Sequence, residues 1–223
     1  MKPAAIRRKD RGAAFVELAI VIPLVAGLLL GMLEFGSAWR ESALLTRMTS
    51  QTARTISQLG TNPNADRQAL TTVVATVNSS DRLAFAPGTT DRVVVYNATD
   101  TSTPPPECLT TNSDKIDGIC NIYRADSAQP SKMFSAINNY DSSQLYKRSE
   151  CTTKYDGWCG EDRGWFTSNP NIDTPLVGVY VQATYTSLTG GIGSRQLTAN
   201  AVYQMEPCTV VTSESATYNL CQI

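Results

Sequence analysis

The chain has 223 residues, 42% of them hydrophobic and 17% charged, which supplies apolar side chains for one core of ordinary domain size. With 19 Lys and Arg against 20 Asp and Glu the formal charge is −1, so the broad basic field that holds nucleic acid is absent and no nucleic-acid partner is expected. There is no histidine, the side chain that most often serves as general base or zinc ligand near neutral pH, and no nucleophile and base motif stands in its place. An enzyme is therefore not expected, nor is a cofactor or a metal.

Charge is unevenly spread. Lys2, Arg7, Arg8, Lys9 and Arg11 against Asp10 give the first 12 residues a net +4, which leaves the remainder at −5. A basic tip ahead of a hydrophobic run marks a segment that meets a membrane with its N-terminus on the cytoplasmic side. From Ala13 to Leu33 the only ionisable residue is Glu17. At 1.5 Å per residue that run makes about 31 Å of helix, close to the roughly 30 Å hydrocarbon core of a bilayer. A secretory signal peptide is the competing reading, with Gly36-Ser37-Ala38 as its small-residue cleavage site, but its apolar centre is shorter and free of acids. Glu17 needs an explanation, because an acid inside a membrane helix costs about 2.5 to 3.5 kcal/mol at mid-bilayer. A cut between Gly12 and Ala13 would place a new ammonium and a helical N-terminus close to that carboxylate.

The stretch Arg11-Gly12-Ala13-Ala14-Phe15-Val16-Glu17-Leu18-Ala19 resembles the processing site of type IV prepilin-like proteins: a basic leader, a glycine before the cut, and a glutamate at the fifth mature position. With Leu18-Ala19-Ile20-Val21-Ile22-Pro23-Leu24 and Gly31-Met32-Leu33-Glu34-Phe35-Gly36, residues 11 to 45 resemble the TadE-like family of tight-adherence (Flp, type IVb) pilus assembly. The resemblance implies a minor pilin or pseudopilin cleaved by a prepilin peptidase between Gly12 and Ala13, with Glu17 serving recognition or pairing with a neighbouring subunit's amino terminus. It also implies partners: the peptidase, other pilin and minor pilin subunits, the pilus assembly platform in the membrane, and the lipid bilayer itself. The expected location is the cell membrane, single-pass, with the C-terminal part extracytoplasmic and potentially in the extracellular pilus. The alternative is an uncleaved single-pass anchor presenting an extracellular binding module.

Pro23 has no N–H to give the carbonyl of Ala19, so a helix kink is expected there. Gly27 and Gly31 form a GxxxG pair through which another helix can approach closely in lipid. Past Glu34 the pattern turns amphipathic, with Leu45, Met48, Thr52, Ile56 and Leu59 at intervals of three and four. One helix from Ala13 to Leu59, ending at Gly60, is predicted, with Trp39 either an interfacial anchor or buried in the head. Asp66 to Val77 reads as a second helix with Leu70, Val73, Val74 and Val77 on one side and Asp66 as N-cap.

Arg92 to Asn97 is a β-branched run and a predicted strand. Leu176 to Thr189 alternates, with Val177, Val179, Val181, Ala183 and Tyr185 on one face. After the break at Gly190 to Gly193, Arg195 to Glu206 alternates again, which makes an antiparallel hairpin. The expected fold is α+β and pilin-like: a long N-terminal hydrophobic helix followed by a small antiparallel sheet head held by disulfides. The expected divisions are a leader at 1–12, the membrane or filament-core helix at 13–34, its amphipathic continuation at 35–60, and an extracytoplasmic head at 61–223. The head includes a Cys-rich, turn-rich insert at 98–174 and a Cys-containing tail at 207–223. All six cysteines (Cys108, Cys120, Cys151, Cys159, Cys208 and Cys221) follow the hydrophobic segment, and none has CxxC spacing, which favours structural disulfides. Fifteen pairings are possible, and short loop closure favours Cys108 with Cys120, Cys151 with Cys159 and Cys208 with Cys221. Within the insert, Tyr155, Trp158, Trp165 and Phe166 stand beside Asp156, Glu161 and Asp162. They form either a local mini-core or a partner-binding surface; calcium lacks its EF-hand spacing there.

Overall fold

The computed structural model describes residues 10–60, 65–86, 90–98, 101–111, 115–116, 118–124, 176–190, 193–205, 210–213 and 216–219. Helix α1 runs from Asp10 to Leu59, 50 residues and thus about 75 Å of rod. Its helical assignment continues on both sides of Pro23. Gly60, at a φ of 53°, donates its N–H to the Ile56 carbonyl at 3.0 Å and closes the helix in the left-handed conformation that glycine adopts without strain. Helix α2 spans Ala65–Ser79. It begins one residue before Asp66, so Asp66 sits in the first turn and is not the N-cap expected from the sequence. Its Oδ2 instead accepts hydrogen bonds from Asn121 Nδ2 at 3.0 Å and Tyr123 Oη at 2.7 Å, tying α2 to the sheet.

The strands are β1 (Leu83–Ala84), β2 (Arg92–Asn97), β3 (Lys115–Ile116), β4 (Cys120–Arg124), β5 (Leu176–Thr186), β6 (Ser194–Gln204), β7 (Val210–Ser213) and β8 (Ala216–Asn219). The first six make one antiparallel sheet. On one side β5 pairs with β6 over its whole length, from Leu176↔Gln204 to Thr186↔Ser194. On its other side it pairs with β2 and, further along, with β1, and β4 and β3 follow outside β2. A separate two-stranded ribbon joins β7 to β8. The turn-rich insert proves structured at its start, where a short helix, α3 (Pro106–Thr110), precedes the β3–β4 hairpin. Gly118, at a φ of 69°, makes that turn.

The period-two alternation sends one set of side chains to each face. Val93 and Val95 of β2 and Val177, Val179, Val181, Ala183 and Tyr185 of β5 pack on Leu45, Met48, Ala53 and Ile56 of α1 and on Leu70, Val73 and Val77 of α2. The opposite face carries a smaller cluster of Val94, Tyr96, Ala98, Cys108, Cys120 and Ile122. There the Cys108–Cys120 disulfide joins α3 to β4. The Arg92 guanidinium donates to the Leu109 carbonyl at 2.5 Å and so holds the end of α3. Tyr96 lies across Gly178, where an added Cβ would meet its ring, and its hydroxyl donates to Asn200 Oδ1 at 2.8 Å. A glycine and an aromatic ring thus share one cross-strand site.

The expected strands at 92–97, 176–189 and 195–206 are all present, the last two ending two or three residues early. Of the expected disulfides, Cys108–Cys120 is formed. Cys151, Cys159, Cys208, Cys221 and the aromatic cluster at 155–166 lie outside the described residues.

Candidate functional site: the apolar helix and its junction with the head

Two surfaces of α1 differ in kind. From Phe15 to Leu33 every side chain is exposed, among them Phe15, Val16, Leu18, Ile20, Leu24, Leu28 and Met32. A soluble core helix hides such side chains; here none of the other described residues covers them, and the helix is long and apolar enough to cross a bilayer. Beyond Leu33 the head begins to cover one face, and the rest of the helix is amphipathic in fact as in pattern: Leu45, Met48, Thr52 and Ile56 are all buried.

Glu34 stands at the boundary. Although the preceding residues are exposed, Glu34 itself is only 6% exposed, because the β5–β6 hairpin folds over it. Its Oε2 accepts the Leu188 N–H at 2.9 Å and the Thr189 N–H at 3.2 Å, and its Oε1 accepts the Tyr185 hydroxyl at 3.2 Å. Tyr185 Oη is also 2.6 Å from Ser37 Oγ, which in turn donates to the Glu34 carbonyl at 2.9 Å. Two turns further on from Glu34, buried Glu41 accepts the Ser80 hydroxyl at 2.8 Å, fixing the end of α2. Both acids point into the head. Buried carboxylates need donors, and each finds them in a segment far away in sequence.

The residues singled out from the sequence are distributed along this rod. Gly12 and Ala13 lie within the first turns of α1. Glu17 is exposed on the apolar half, in the same setting as Pro23, Gly27 and Gly31. Among the described residues the two glycines have no heavy atom within 4 Å of their would-be Cβ positions, so the pair stands open. Trp39 is 69% exposed, and its ring centroid lies 6.3 Å from that of Phe35. Of the two sites expected for it, burial in the head is not the one adopted. Sequence reasoning missed the roles of Glu34, Ser37 and Glu41. Their signal was the period: Glu34, Ser37, Glu41 and Leu45 continue the head-facing stripe toward the membrane with polar residues. No group of three or more Cys, Asp or Glu among the described residues is arranged to hold a metal.

Residues 12–54 match the family model described as TadE-like protein. Over those residues the N-terminal helix is similar to that family. The match covers the apolar half of α1 and most of its head-facing half, including Gly12, Ala13, Glu17 and Glu34, and stops before α2. The TadE-like family is one of pilus structural and assembly components and is not known as an enzyme family. No curated protein and no solved structure matches the chain.

Proposed function

We propose that the protein is a minor pilin or pseudopilin of a tight-adherence pilus. A prepilin peptidase cuts it between Gly12 and Ala13, and the subunit then leaves the membrane for the pilus or its assembly complex. The observation that carries this reading is an uncovered apolar rod, TadE-like from residue 12 onward, built in one piece with a folded head. Before assembly the rod lies in lipid with the basic leader cytoplasmic and the head outside. In the assembled structure a neighbour's helix replaces the lipid, with the open faces of Gly27 and Gly31 as a place of close approach and Glu17 facing a partner's amino terminus. Prepilin peptidase, pilin subunits and the assembly platform are its partners on this reading.

A signal-peptide cut after Ala38 is disfavoured by a specific contact. It would discard Glu34 and Ser37, whose bonds to Tyr185, Leu188 and Thr189 hold the hairpin.

N-terminal sequencing of the exported protein tests the proposal. A mature start at Ala13 is expected, and Gly12→Leu should accumulate a precursor 12 residues longer. An intact Met1 or a start at Trp39 overturns it. With an intact Met1, and Glu17→Ala leaving location and pilus formation unchanged, the protein is an uncleaved anchor with a binding module outside the cell.

A further inference from the structure

Outside the apolar rod, few large hydrophobic side chains are exposed among the described residues, and three of them lie near the level of Glu34. Phe35 and Trp39 are 71% and 69% exposed on α1, and Leu188 is 44% exposed on the β5–β6 hairpin. Leu188 is held at the height of Glu34 because its own N–H donates to that carboxylate. By helical rise Phe35 lies about 1.5 Å and Trp39 about 7.5 Å beyond Glu34. The headgroup layer on each side of a bilayer is about 5 to 7 Å deep, so with the hydrocarbon boundary at Leu33 the Phe35 backbone, about 3 Å beyond it, falls within the layer, and the Trp39 backbone, about 9 Å beyond it, stands just above the layer with a side chain that leans back toward the helix N-terminus. Glu34, Ser37 and Glu41 face the head while Phe35 and Trp39 are exposed. The apolar groups therefore stand both on the helix and on the hairpin that covers its other face.

We propose that the β5–β6 hairpin at Leu188 is a lipid-contacting surface, with Leu188 and Phe35 seated in the headgroup and upper acyl layer of the bilayer that α1 spans and Trp39 at the outer edge of that layer. This rests on the bilayer-spanning reading of α1. Two physical arguments carry it. An acid at the hydrocarbon boundary is tolerated only when its charge is met by donors, and Glu34 receives three from the hairpin. Conversely, a strand connection approaches lipid only when its backbone N–H groups have partners, and Glu34 supplies them for Leu188 and Thr189. Each element removes the polar obstacle to the other's position. The head thereby lies on the membrane surface and is not held off on a stalk, and exposed Arg40, one residue past Trp39, is placed to meet lipid phosphate.

The test uses the full chain in vesicles of phosphatidylethanolamine and phosphatidylglycerol. An environment-sensitive fluorophore is attached at Leu188→Cys, at Val25→Cys within the rod, or at Gln58→Cys, an exposed position about 36 Å further along α1 than Glu34. The vesicles carry a lipid with a nitroxide quencher near the headgroup or in mid-chain. The expected result is a blue-shifted Leu188 label quenched by the headgroup nitroxide, a Val25 label quenched by the mid-chain nitroxide, and a Gln58 label untouched by either. Quenching at Val25 with none at Leu188 overturns the proposal and leaves the spanning rod standing. Loss of quenching at both positions removes the spanning rod and the proposal together.

Discussion

Glu34 shows how one side chain connects distant parts of the chain. Replacing it with alanine removes the charged acceptor to which the Leu188 and Thr189 N–H groups donate, while Tyr185 retains Ser37. The expected cost is about 1 to 3 kcal/mol, visible as faster amide hydrogen exchange at Leu188 and Thr189, with Glu34→Gln in between. Unchanged exchange would show that the carboxylate does not hold the hairpin. A second prediction concerns alkaline pH. Burial raises the hydroxyl pKa of both Tyr96 and Tyr180 above the ordinary tyrosine value of 10.0; for Tyr96 the bond to Asn200, and for Tyr180 the nearby Arg92, oppose the rise. The folded state therefore favours the neutral phenol. The associated stability is fully present below pH 10 and is lost as pH rises through the elevated values. Melting temperature should fall above pH 10, and less so in Tyr180→Phe. Identical alkaline profiles for the two proteins would refute the assignment.

At the level of elements, the two halves of α1 should respond to mutation in opposite ways. Ile56 is fully buried between sheet and helix, so Ile56→Ala should lower head stability by about 2 to 5 kcal/mol. Leu24, exposed on the apolar half, should tolerate the same change with no effect on the head's melting temperature. A comparable loss from both would mean that the apolar half packs on the head. The helices and the long hairpin were legible in the sequence because their periods are carried by many residues: Val177 to Tyr185 alternates without a lapse, and Leu45, Met48, Thr52 and Ile56 keep the helical interval. Strand β4 was not legible. Cys-Asn-Ile-Tyr-Arg has only five residues with mixed polarity, and it is a strand because β2 lies alongside and Cys108 is bonded to its first residue. Glu34 was hidden for a similar reason. An acid next to an apolar run reads as a helix reaching water, and its donors come from a hairpin more than 150 residues later.

At the scale of the whole molecule, one chain joins an exposed apolar rod to a folded head. The full chain should stay with the membrane fraction after alkaline carbonate extraction, whereas a chain beginning at Glu34 should be released; release of both would show that the rod is not embedded. The length of α1 has a mechanical consequence. The apolar portion and the portion gripped by the sheet share one continuous helix, with no loop between them around Glu34. A displacement of the helix along its axis around Glu34 is therefore carried to the sheet by the helix itself, about 5.4 Å for each turn of advance.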